Sequence, residues 1–202
     1  MHWYFSRGEG QSAKLIDASS EITSDLSVTG WQLLFLRSAK NAGFGILGQN
    51  VDEAMEFVKH CYDRQMRTFV YTPGYPRGSR AMAATGILSL SLGGLQGTEM
   101  ARAASDWVIA NPFCKYNDPD EVGGPCYHYS VFYCSQAMFQ YGGRHWAQYY
   151  PRIVRMLVAN QHQDGSWAPE IGGHARYGNV YSSALAVLAL TAPYQLLPIF
   201  QR

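Results

Sequence analysis

YHYSVFYCSQAMFQYGGRHWAQYYPRIVRMLVANQHQDGSW, residues 127–167, holds two helices of opposite character joined at a glycine pair. From Tyr127 to Gly142 apolar and small residues surround the axis on every side. A helix there has no face for water and must be enclosed by protein. Beyond the glycines, Trp146, Tyr149, Tyr150, Ile153, Val154, Leu157 and Val158 recur at helical spacing. That one-sided stripe belongs to a helix laid over a core. Pro151 interrupts it, so a kink or a fresh helix start is expected there. The stretch closes on a polar loop that carries Gln161, Gly165 and Trp167.

The same alternation runs outward in both directions. Leu26–Gly43, Ala81–Gly93 and Val180–Tyr194 are again apolar nearly all round and rich in small residues, which let helices approach closely. Residues 51–64 and the run Met100, Ala103, Ala104, Trp107, Val108 are amphipathic. Asn50 and Glu53 are spaced like a capping box for the first of these. Gly43, Gly93 and Gly142 end three enclosed helices at separations of 50 and 49 residues, and Thr29-Gly30 recurs as Thr85-Gly86. The chain therefore reads as one all-α domain, residues 1–202, with repeats near 25–65, 80–113, 127–161 and 180–194. Only 68–72 offers a short strand. Trp3-Tyr4 resembles the end of a repeat loop, so the chain is expected to open in mid-repeat, with earlier repeats missing.

Composition narrows the function. With 16 Lys plus Arg against 15 Asp plus Glu, the net charge of +1 gives no footprint for nucleic acid. Charged residues make up 15%, below the roughly 25% of an ordinary soluble domain. Aromatics reach 14%, which suits a large core, an apolar cavity or a face buried against other protein. The longest apolar stretch, Val180 to Leu190, is too short to cross a membrane, so no transmembrane segment is expected. Met1–Arg7 contains no apolar signal region, and a cytoplasmic place is expected unless the chain is a piece of an exported protein. Four cysteines without CxxC pairing read as free thiols.

Gln161, Gly165 and Trp167 match the Q-x-x-x-G-x-W core of the QW motif, with Arg152 and Leu157 at its upstream basic and aliphatic positions and Met156 where an aromatic is usual. Period, helix alternation and motif together resemble the prenyltransferase and squalene/oxidosqualene cyclase repeat superfamily. The resemblance implies an α/α toroid, with the apolar helices inside and the amphipathic ones outside. It gives the QW residues a structural role, Gln161 bonding backbone at a helix end and Trp167 packing over the next helix. A closed toroid of that superfamily has more helix pairs than the three pairs and one inner helix read here. Either missing N-terminal repeats or a second copy would close it.

The resemblance also supplies chemistry to check. Class II cyclases use an Asp-x-Asp-Asp acid; the nearest string is Asp118-Pro119-Asp120-Glu121, so Asp118, Asp120 and, on the adjacent inner helix, His128 are the catalytic candidates. A solvated turn at 118–121, and a His128 hydrogen-bonded to a neighbouring loop, are the alternatives. Prenyltransferases hold zinc through Asp-x-Cys and a later His. Gly124-Pro125-Cys126 keeps only the Cys, and Ser182 stands at the His position, so no metal and no cofactor are expected. The macroglobulin-type Cys-Gly-Glu-Gln thioester string does not occur. Tyr71, Tyr127, Tyr129, Phe132 and Tyr133 are candidates to line a cavity for an apolar, isoprenoid-like molecule, or else are core. Carbohydrate chemistry would need paired acids, for which Glu170 and Asp118 are the loop candidates. His60, His145, His162 and His174 read as surface or loop residues. The expected function is a non-catalytic toroid module that binds an apolar or protein ligand. The alternative is a cyclase or prenyltransferase-type enzyme whose motif has diverged or lies outside this chain.

Overall fold

The computed structural model describes residues 24–118 and 126–201. Trp3-Tyr4, Asp120, Gly124 and Pro125 lie outside them. Seven α-helices follow in order among the described residues: α1 Leu26–Asn41, α2 Gly48–His60, α3 Arg80–Leu92, α4 Glu99–Ala110, α5 Tyr127–Tyr141, α6 Gly143–Ala159 and α7 Gly178–Leu190. Short 3-10 turns at Gly172–Tyr177, Ala192–Tyr194 and Pro198–Phe200 complete the chain. The fold is all-α apart from one antiparallel pair, β1 Tyr62–Asp63 on β2 Thr68–Phe69. None of the helices is long and apolar enough to cross a membrane.

The helices sort as their sequence patterns demand. α3 packs on α1 and on α5, and α5 packs on α7, so the four all-round apolar helices form one row. The amphipathic α2, α4 and α6 each pack on the helix before them, and α4 also meets α6, which makes a second layer. Eleven residues of α3 are buried, because neighbours enclose it on every side. The core runs between the layers through Leu33, Val58, Phe69, Ile87, Val131, Ile153 and Leu157.

The repeated Thr-Gly pair has a steric cause. A Cβ on Gly30 would collide with the Thr85 methyl, and one on Gly86 with the Phe69 ring. Glycine thus sets the close approach of α1 to α3 and of α3 to β2. Gly142, at φ +80°, takes the left-handed turn that folds α6 back from α5.

Three local expectations need correction. α2 begins at Gly48, two residues before Asn50, with no side-chain cap, and Glu53 instead accepts from Gln49 Nε2. α6 runs unbroken through Pro151, so no new helix starts there. Packing of the Tyr149, Ile153 and Leu157 face, all buried, outweighs the single ladder bond that proline removes. The strand expected over 68–72 is only Thr68–Phe69, followed by a bridge from Val70 to Gly78.

Candidate site at the start of α5

The loops before α5 and α7 converge on the first turn of α5. Its first N–H groups have no partner within the helix. Glu170, from the loop before α7, supplies the missing acceptors. Its Oε2 accepts from Tyr127 N at 2.9 Å, and its Oε1 from His128 N at 2.7 Å and Tyr129 N at 3.2 Å. The carboxylate side chain is 1% exposed, so its charge is held almost wholly by these donors and the positive end of the helix. A remote carboxylate does here what a local Asp, Ser or Thr does for α1, α3 and α4, whose N-caps are Asp25, Ser79 and Thr98.

His128 is fully buried beside it. Its Nε2 lies 3.1 Å from the Tyr116 hydroxyl, and its Nδ1 3.6 Å from Glu170 Oε2. Burial pushes the Tyr116 phenol up to about 12, against an opposing main-chain bond from Ala168. Tyr116 therefore keeps its proton, and its hydroxyl pairs with Nε2 as donor or acceptor according to the imidazole tautomer. His128 is thus in contact with Tyr116 of the loop that precedes α5.

Cys126, immediately before α5, places Sγ 3.3 Å from His174 Nε2. Burial first, and then the Glu170 charge, push the Cys126 thiol up, which favours the neutral S–H beside the imidazole. A neutral thiol beside a base can attack an electrophile only as its proton passes to the base. Sequence reading missed this pair and the pairing of His145 with Asp106 at 2.8 Å, because the partners lie 48 and 39 positions apart and neither is signalled by local spacing.

The remaining candidates do not form one site. Tyr127 turns toward the second layer, where its ring meets Phe113 and Tyr116 and its hydroxyl reaches Met156 Sδ at 2.9 Å. Tyr129, Phe132 and Tyr133 face α1 instead: Trp31 stacks on Phe132 at 6.4 Å and meets Tyr133 edge-on at 5.8 Å. Burial pushes Tyr129 up to about 12 and Tyr133 higher still. Tyr71 sits apart from both groups, exposed at the start of α1, where its main chain accepts from Leu26 N. Asp118 lies in the 115–118 turn, 4.0 Å from Lys115 Nζ. A groove of about 340 Å³ opens on the second layer between α4 and α6, lined by Val108, Phe113, Tyr149 and Arg152, not among the Tyr129, Phe132 and Tyr133 rings. No three His, Cys, Asp or Glu among the described residues come together in a way that could hold a metal ion.

Gln161 and Trp167 both bond main chain, with the roles divided differently from expectation. Gln161 Nε2 bonds Gly165 O within its own loop. Trp167 satisfies the helix end, its Nε1 donating to Leu157 O in the last turn of α6 at 2.8 Å and its main-chain N to Ser183 Oγ of α7 at 3.0 Å. Comparison of the chain with family models, curated proteins and solved structures returns no match.

Proposed function

We propose that this chain is a toroid-type helical-repeat module, of the squalene cyclase and prenyltransferase kind, that binds an apolar or protein ligand without chemistry of its own. The observation that carries this reading is the exposure of apolar residues at both ends of the inner helix row. On α1, Trp31 and Phe35 are 48% and 53% exposed; on α7, Val180 and Val187 are 79% and 47% exposed. Inner helices with apolar flanks gain by covering them, with further repeats or with another molecule. The roles of Glu170 and His128 support the same reading, since both are engaged in holding the start of α5. Native mass spectrometry of the wild type and of a Val180→Lys, Val187→Glu variant tests it. Self-association or retained apolar mass in the wild type, lost in the variant at unchanged helicity, is expected. A bare monomer in both refutes it.

The Cys126–His174 contact favours a second reading, a diverged enzyme of the same superfamily. Turnover of squalene, or of a prenyl diphosphate with a peptide acceptor, that disappears in Cys126→Ser would establish it.

A further inference from the structure

The segment after α7 doubles back across the row of apolar helices. It leaves through the turn Ala192–Tyr194 beside α5 and ends with Pro198–Phe200 against α1. Asn41 Nδ2 of α1 donates to Pro198 O at 3.2 Å, and Gln140 Nε2 of α5 donates to Phe200 O. The Phe200 ring, 6% exposed, meets Phe132 edge-on at 6.1 Å, beside Trp31. Side-chain amides read main-chain carbonyls while one ring enters an aromatic seat, so the turn Pro198–Phe200 is held at its two ends. Between the buried Ala192 and Phe200 the segment is lightly held, with Tyr194, Leu196 and Leu197 73%, 64% and 42% exposed. Its bend is at Gln195, a non-glycine residue at φ +47°, a left-handed conformation that costs free energy and that an extended path would relieve.

We propose that the α1–α5 face is a docking site for this same segment of a second copy, which two copies exchange reciprocally. The inference rests on the protein-binding reading above and names its partner. A swapped pair keeps the Asn41, Gln140 and Phe132 contacts, and differs at the Gln195 hinge, with its bonds to Phe200 O, Ala192 O and Gln201 Nε2, and in the association it requires. Within one chain the tether holds the segment at an effective concentration on the order of millimolar. Exchange therefore grows with protein concentration, and Phe200, as the anchor, governs it.

The test uses the full chain with Cys114→Ser, which removes the exposed thiol. One variant carries Asn41→Cys and another Pro198→Cys, both at exposed positions. A third carries both and serves as the control for seating within one chain. Mixing the two single variants and oxidising is expected to give a covalent heterodimer whose yield rises with concentration. Adding Phe200→Ala to the Pro198→Cys chain is expected to cut that yield tenfold or more. Rapid closure of the double variant within itself, with no heterodimer from the mixture, overturns the proposal. So does a heterodimer indifferent to Phe200→Ala, or a double variant that fails to close. Association of the wild type that persists without this cross-link would leave the α7-face reading standing while removing the exchange.

Discussion

Glu170→Gln should destabilise the fold through the first turn of α5 alone. The substitution keeps the volume but turns one buried acceptor oxygen into an NH2 group. With Oε1 still serving His128 N and Tyr129 N, the new amine faces Tyr127 N, where a 2.9 Å bond had been. One hydrogen bond to a charged acceptor, about 2 kcal/mol, is lost, and two donors then oppose each other in a dry site. The surviving bonds also weaken without the negative charge at the helix start, by about 1 kcal/mol. At 1% exposure, water restores little of this. The sum of about 3 kcal/mol corresponds to a fall in Tm of roughly 9 °C for a domain of this size. Urea unfolding followed by circular dichroism measures the first quantity. Hydrogen exchange of residues 127–129 locates it, because their amides should lose protection before those of α3. A variant within about 0.5 kcal/mol of wild type, the range of ordinary surface changes, with unchanged exchange at 127–129, would refute the role given to Glu170.

Other substitutions probe other joints. Trp167→Ala removes a buried ring and its Nε1 bond to Leu157 O, and should cost about 4 kcal/mol, whereas Gln161→Ala, on an exposed loop bond, should cost under about 1 kcal/mol by the same urea assay. Gly30→Ala should destabilise by about 2 kcal/mol through collision with the Thr85 methyl, and adding Thr85→Ser, which deletes that methyl, should recover much of the loss. Asp106 is held below the usual carboxylate range by its hydrogen bond from His145, with Arg144 and Arg102 assisting. A depressed carboxylate stabilises above its unfolded value, so this contribution should be present at neutral pH and fade as pH falls below about 4. Exposure of 38% of the Asp106 side chain limits it to about 1 kcal/mol. Stability curves of Asp106→Asn and wild type should therefore converge in acid, and parallel curves would count against the pairing.

The helix register was legible because burial imposes its own period on a sequence. All-round apolar 26–43, 81–93, 127–142 and 180–194 became one row of helices, and one-sided stripes at 100–108 and 146–158 became α4 and α6. The recurring Thr-Gly pair already marked a close approach, since only a missing Cβ admits a neighbouring helix there. What stayed hidden were partners brought together from afar. Nothing near Tyr127 announces that its N–H is capped from Glu170, 43 positions on, or that Cys126 meets His174. The aromatic run at 127–133 looked like one cavity wall, yet successive residues of a helix point in different directions, so Tyr127 joined the second layer while Phe132 and Tyr133 joined Trp31. Pro151 shows the reverse case, a strong local signal overruled by the packing of its helix face. Periodicity along the chain thus determined which helices exist and which are enclosed. Only the tertiary structure decided which polar atoms pair, and that residues 192–200 fold back onto α1, because such pairings depend on distances between loops and helices that no local pattern encodes.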